Sequence, residues 1–296
     1  MYSNNIIRQN QAKVFLYMAI MTAIIGVLGY FVSSYFNFGL TGTGIFLIIA
    51  GIIDFIAYFF SDTFVIKSSG AKEIKEEQMP EYFKLVRDMC ERNKIKMPKL
   101  YLINTGAMNA FATGRNKDKA VVAVTRGLLE KLTPEEISGV VGHELSHIEN
   151  GDMFLMSVLS ILAGFISIIA DSFWYSGMGR SSDRDRSGIV ALIGLALALL
   201  APITASLIKL AVSRSREYMA DAKGAQICGN PLYLASALNK IKNDRIPLPG
   251  AGQATAHLYI SNPFKGDFIS KLMSTHPDTD DRIQKLENMN INDKGL

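Results

Sequence analysis

Cysteine is scarce in this chain. Two stand in 296 residues, Cys90 and Cys228, far apart and without CxxC spacing. Nothing calls for a disulfide, no thiolate metal motif is spelled out, and the pair suits a reducing compartment. Also missing is any run of clustered basic and aromatic residues. The formal net charge of +4 and sequence pI near 8.9 therefore read as a cytosolic-side excess of Lys and Arg, and nucleic acid is not expected as a partner. No internal repeat is evident. No small-x-small cleavage site follows the first apolar run, and that run is too long for a signal-peptide core. Histidine is rare too, with four in all. Hydrophobic residues, by contrast, make up 49% of the chain, and mean hydropathy is +0.18, values that point to membrane segments.

Four apolar runs carry that excess: Phe15–Tyr35, Leu40–Phe60, Met153–Phe173 and Ile189–Val212. Each is long enough to cross about 30 Å of hydrocarbon at 1.5 Å per residue. The first two are separated by a short neutral turn around Phe36–Gly39 and form a hairpin. Arg8 and Lys13 precede it with no acid to offset them, so the N-terminus is expected in the cytosol. Asp54, inside the second run, must face protein, water or the interface. The loop between the third and fourth runs carries Arg180, Arg184 and Arg186 among Asp183 and Asp185, which leaves open whether those two runs fully span. Pro202 predicts a kink in the fourth.

Between and after these runs the composition is that of a soluble domain. Met79–Lys94 has the spacing of an amphipathic helix. The stretches "PKLYLINT" and "KAVVAVT" read as strands, with "NAFATG" between them. Thr133-Pro134-Glu135-Glu136 spells a capping box with Pro at the first helical position, so a helix is predicted from Pro134 to about Asn150. Gly151 fits its C-terminal cap, and Asp152 fits the start of the next helix.

That helix carries "GHELSH". Residues four apart share a helix face, so His143 and His147 can both offer a ring nitrogen to one Zn²⁺. Glu144 is then placed to take a proton as water attacks a carbonyl, the chemistry of an H-E-x-x-H hydrolase. A third ligand is needed. His257 and His276 are available, but Glu217 in "SRSREYMAD" is the better candidate. Asp221, one turn beyond Glu217, can accept the second ring N–H of a zinc histidine. Any such partner must reach the metal from the same side of the membrane, and two intervening apolar runs satisfy that.

"VVGHELSHIENGD" together with "SRSREYMADAKGA" resembles the HtpX-type membrane zinc metalloproteases, relatives of the CAAX prenyl endopeptidases and of the Oma-type proteases. The resemblance extends over nearly the whole chain, through "NAFATG", "ATAHLYISNPF" and "STHP". It implies one zinc per chain, held by His143, His147 and Glu217, with Asp221 as supporting carboxylate and Glu144 as catalytic base. It implies that an extended substrate adds to the sheet edge at "NAFATG", where Asn109 touches the substrate backbone. Read without the resemblance, Asn109 is a plain turn residue beside a core Phe111. His276 would stabilise the oxyanion, or serve as a structural residue before Pro277. His257 reads as structural. "HPDTDDRI" is more acidic between Pro277 and Arg282 than the family pattern, and Arg282 receives no role.

The expected architecture is α+β: about four transmembrane helices joined to a cytosolic, gluzincin-like domain with a small sheet. Its segments are a hairpin at 1–61, a first protease part at 62–152, a second membrane or re-entrant hairpin at 153–212, and a second protease part at 213–296. The expected function is endoproteolysis of misfolded membrane proteins in the plasma or inner membrane, as part of stress-related quality control. The site and both termini would face the cytosol, and self-cleavage or homo-oligomerisation would accompany that role. Three rivals are a CAAX-type prenyl endopeptidase, a catalytically inactive membrane scaffold, and a channel. The first wants more helices around a chamber. The second sits badly with an intact His143, Glu144, His147 and Glu217. Asp54 and Asp171 are too few for the third.

Overall fold

The computed structural model describes residues 2–177, 214–252, 254–263 and 277–289. The fourth apolar run, the arginine-rich loop before it, Pro202 and His276 lie outside the described residues.

The N-terminal hairpin is formed by α1 (Tyr2–Tyr35) and α2 (Gly39–Ser68). Both helices are long and apolar enough to cross a membrane. Their outward faces carry Phe15, Phe31, Ile48 and Phe55, which only a hydrocarbon or another apolar surface would cover at little cost. Asp54 faces protein: Thr22 of α1 donates to its Oδ2 at 2.6 Å, so this carboxylate inside an apolar helix ties the two helices together. At 30 residues, α2 is about 45 Å long, more than a bilayer core needs. Its C-terminal end runs into the soluble domain, where Val65 joins a cluster with Ile103, Phe111, Ala123 and Tyr259.

Among the described residues, the soluble domain is mostly helical with a small mixed sheet of four strands: β1 (Lys72–Glu73), β2 (Lys99–Ile103), β3 (Ala110–Thr113) and β4 (Val121–Thr125). Spatial order is β1-β2-β4-β3. β2 and β4, the two stretches read as strands from sequence, pair in parallel, while β3 pairs antiparallel with β4. "NAFATG" is thus a strand in its own right, and it forms the sheet's edge. Side chains alternate as a pleated sheet requires. Leu100, Leu102, Val122 and Val124 enter the main core with α3 (Pro80–Arg92), whereas Phe111 and Ala123 face the second cluster.

After the short α4 (Arg126–Lys131), α5 (Pro134–Asn150) runs through the centre of the domain, with 13 of its residues buried. Its start matches the sequence reading. Thr133 Oγ1 accepts from the Glu136 N–H at 3.3 Å, and Glu136 Oε2 accepts from the Thr133 N–H at 2.8 Å. Lys240 and Ser236 also reach the Glu136 carboxylate, both at 2.7 Å, so the cap docks α8 (Pro231–Asn243) as well. Gly151 closes α5 in the left-handed conformation, φ 67°, which glycine adopts without steric cost. The chain then turns by 88° into α6 (Met153–Gly177). Leu155, Val158, Leu159 and Leu162 of α6 pack on Val14, Met21 and Ile53 of the hairpin. Asn10 Nδ2 donates to the Asn150 carbonyl at 3.3 Å, so the N-terminal end of α1 meets the C-terminal end of α5.

Candidate metal centre

α7 (Arg214–Cys228) lies against α5 with almost nothing between the backbones. A Cβ on Gly142 would stand 2.6 Å from the Gly224 carbonyl oxygen, and one on Gly224 would stand 2.7 Å from the His143 nitrogen. Glycine on both helices permits this approach, and it brings Glu217 over the histidines. Gly224→Ala should force the helices apart and cost about 1–3 kcal/mol of stability as overpacking. Metal affinity should fall with it, as read by competition with a chelator. Gly51→Ala, where a Cβ meets nothing within 4 Å, serves as the neutral comparison.

The three donors converge. His143 Nε2 and His147 Nε2 are 3.1 Å apart, and each lies 3.8 Å from a Glu217 carboxylate oxygen. Ligands at ~2.0–2.1 Å from a tetrahedral zinc stand roughly 3.3–3.4 Å from one another. The observed separations bracket that spacing. Both imidazoles are oriented from behind: His143 Nδ1 stands 2.9 Å from Asp221 Oδ1, and His147 Nδ1 stands 3.1 Å from Asp152 Oδ1. With carboxylates at both Nδ1 atoms, the Nε2 lone pairs are left to face inward. Asp221 is itself clasped by Arg282, whose Nε and terminal nitrogen approach its two oxygens at 2.8 and 2.7 Å.

Electrostatics point the same way. Glu144, Asp152, Glu217 and Asp221 are all buried, and Arg282 offsets one of them. Burial opposes a charged His147, yet Asp152 and Glu217 outweigh it and raise the imidazole to about 10. Burial instead holds His143 below the ordinary imidazole range, so it stays neutral with a ring nitrogen free to act as a donor, while the acids around His147 favour positive charge there. Burial, reinforced by the nearby Glu217, pushes the Glu144 carboxyl up to about 8. A carboxyl in that range can both take and return a proton near neutral pH. Glu144 Oε1 is buried with no hydrogen-bond partner, a cost that is offset when a polar reactant enters. The residues present thus fit a bound cation.

Of the other sequence candidates, Asn109 lies at the start of the edge strand, 2% exposed. Its amide serves its own chain: Nδ2 donates to the Ser261 carbonyl at 3.0 Å, and Oδ1 accepts from the Ala110 N–H at 3.1 Å. His257 is buried and is not one of the converging group, its Nε2 3.0 Å from the Met156 carbonyl oxygen. Two participants were missed. Asp152 stands where a helix cap was expected, and its carbonyl does accept the first α6 bond, from Met156 N–H. Its carboxylate instead turns back to His147. Arg282 carries the Asp221 pair across 61 positions, a separation no local pattern encodes.

Comparison with a solved structure matches this fold to a crystal structure of S. mikatae Ste24p, with a TM-score of 0.50 and 18% identity over 96% of this chain and 67% of that one. Residues 76–290 match Peptidase family M48, a span that holds the edge strand, the metal helix, Glu217 and Arg282. The chain therefore belongs to Peptidase family M48 and is a membrane metallopeptidase of that family.

Proposed function

We propose that the chain is a zinc-dependent endopeptidase that cuts misfolded or damaged membrane proteins on the cytosolic side of a cell membrane. The observation that carries this reading is the convergence of His143, His147 and Glu217 beside a buried Glu144. Zinc held by those three residues would supply a Lewis acid that acidifies water and polarises the scissile carbonyl. The protein supplies the rest. Glu144 takes the proton from the attacking water and returns it to the leaving amine. Asp221 and Asp152 fix the two imidazoles, and Arg282 fixes Asp221. The edge of β3 offers backbone groups to an extended substrate, which gives tolerance of side-chain identity. His276, by family resemblance, stabilises the oxyanion. Two apolar helices are long enough to anchor this machinery to a bilayer, and the contact of α1 with the end of α5 supports a metal helix close to the membrane surface. Membrane proteins whose unfolded parts emerge there are the substrates this placement favours.

The test uses purified full chain in detergent with unfolded casein as substrate. Cleavage at internal bonds is expected, with one zinc per chain. A strong chelator should abolish it and added zinc should restore it. Chelator-resistant cleavage, or release only of C-terminal tripeptides from prenylated peptides, would overturn the reading.

A further inference from the structure

The strand edge that substrate needs is occupied by the protein itself. Thr125 N–H donates to the Asn109 carbonyl at 3.0 Å, so Asn109's backbone faces β4. By strand alternation the backbone of Ala110, and again of Ala112, faces outward from the sheet. The Ala110 carbonyl accepts from Ile260 N–H at 2.9 Å, as it would from a fifth strand. Asn109 extends that pairing by one residue with its side chain, which donates to the Ser261 carbonyl at 3.0 Å and accepts from the Ser261 N–H at 3.4 Å. The Tyr259 ring stands edge-on to Phe111 with centroids 5.3 Å apart. Arg282, already clasped to Asp221, donates from its other terminal nitrogen to the Ile260 carbonyl at 2.9 Å. Leu258, Tyr259 and Ile260 line the metal pocket together with His143, Glu144, His147 and Glu217, and the space left is about 10 Å³. That admits about one water and no peptide.

We propose that residues 254–263 form a strap, a helical turn at Ala256–Leu258 followed by a short stretch, 259–261, that occupies the substrate edge as an internal strand would, and that substrate enters by displacing it. This rests on the peptidase reading above. The strap also sets the register of the incoming chain. A substrate residue taking the place of Ile260 donates its N–H to Ala110, and the residue before it lies on Phe111. The preferred segment is therefore extended and carries an aromatic followed by an aliphatic residue, as unfolded apolar sequence often does. Arg282 touches both the strap and the carboxylate behind His143, so closure of the strap is felt at the metal shell.

Ile260→Pro removes the N–H given to Ala110. Tyr259 sits at φ −75°, ψ 144°, a conformation that suits a residue before proline. Loss of one such bond should raise kcat/KM on unfolded casein about fivefold, mainly through a lower KM. A folded, zinc-loaded Ile260→Pro protein with unchanged or lower kcat/KM would overturn the strap. The deciding measurement needs no change in the strap. In zinc-loaded Glu144→Gln protein, a casein peptide should increase deuterium uptake across 254–263. Unchanged or reduced uptake would mean that the segment is a fixed wall of the cleft, and would overturn the proposal even if Ile260→Pro failed to fold. Failure of the peptidase reading is separate: it would appear as wild-type protein without zinc-dependent cleavage.

Discussion

Replacing Glu144 by Gln is expected to leave zinc bound and to lower kcat/KM on unfolded casein by about 10²–10⁴-fold, the usual worth of a general acid–base. The two side chains have nearly the same shape, and Glu144 is 1% exposed, so the cavity should survive. The nearby Ala112 backbone, which favours the charged form of Glu144, can face the amide oxygen equally well. What the amide cannot do is take a proton. His143→Ala and His147→Ala remove a donor from the converging set, so they should lose zinc and cleavage together. Zinc per chain, measured beside kcat/KM, separates the two classes. Full cleavage by purified Glu144→Gln protein would sink the role assigned to Glu144.

The metal helix was the most legible part of this chain because its information is local. A capping box, a proline at the first helical position and a terminal glycine bracket Pro134–Asn150, and the four-residue spacing of His143 and His147 sets one face. The hairpin was legible for the same reason: two unbroken apolar runs and a short turn. Its ends were not, since α1 extends back through polar residues to Tyr2 and α2 on to Ser68. β3 was harder to read. "AFAT" is short and rich in alanine, which favours strands weakly, and its place at the sheet edge follows only once β4 inserts between it and β2. Asp152 was read only in part: it does start the next helix, but whether its carboxylate caps that helix or faces His147 is not spelled in the sequence. The left-handed Gly151 decides between them by swinging the next residue back towards the ring. The Gly142–Gly224 contact was hidden for a different reason. Each glycine is unremarked alone, and only the crossing of two helices gives the pair a purpose.

Arg282→Met is expected to destabilise the zinc-free protein by about 3–5 kcal/mol, the cost of leaving one partner of a buried ion pair alone. Arg282 is 1% exposed and bidentate on Asp221. Burial by itself would push Asp221 up, but the guanidinium and the His143 ring bring it down to about 2. Without Arg282 that charge stands uncompensated beside Glu217 and Glu144. Arg282→Lys should recover little, since an ammonium cannot supply the planar fork that meets both oxygens. Adding Asp221→Asn to Arg282→Met removes the orphaned charge and should restore most of the stability. Zinc affinity should nevertheless stay about 10–100-fold weaker, because His143 has lost the carboxylate that fixes its ring and raises its basicity. The two readouts therefore part company in the double variant: denaturant unfolding recovers, while chelator competition does not. If Arg282→Met unfolded within 1 kcal/mol of the parent, or the double variant were no more stable than the single, the arginine would not be the counter-charge of the site. Parting of the two readouts would show that Asp221 serves the metal and Arg282 serves Asp221, an order of dependence that runs from the helix Thr279–Glu287, which carries Arg282, to the zinc through one imidazole.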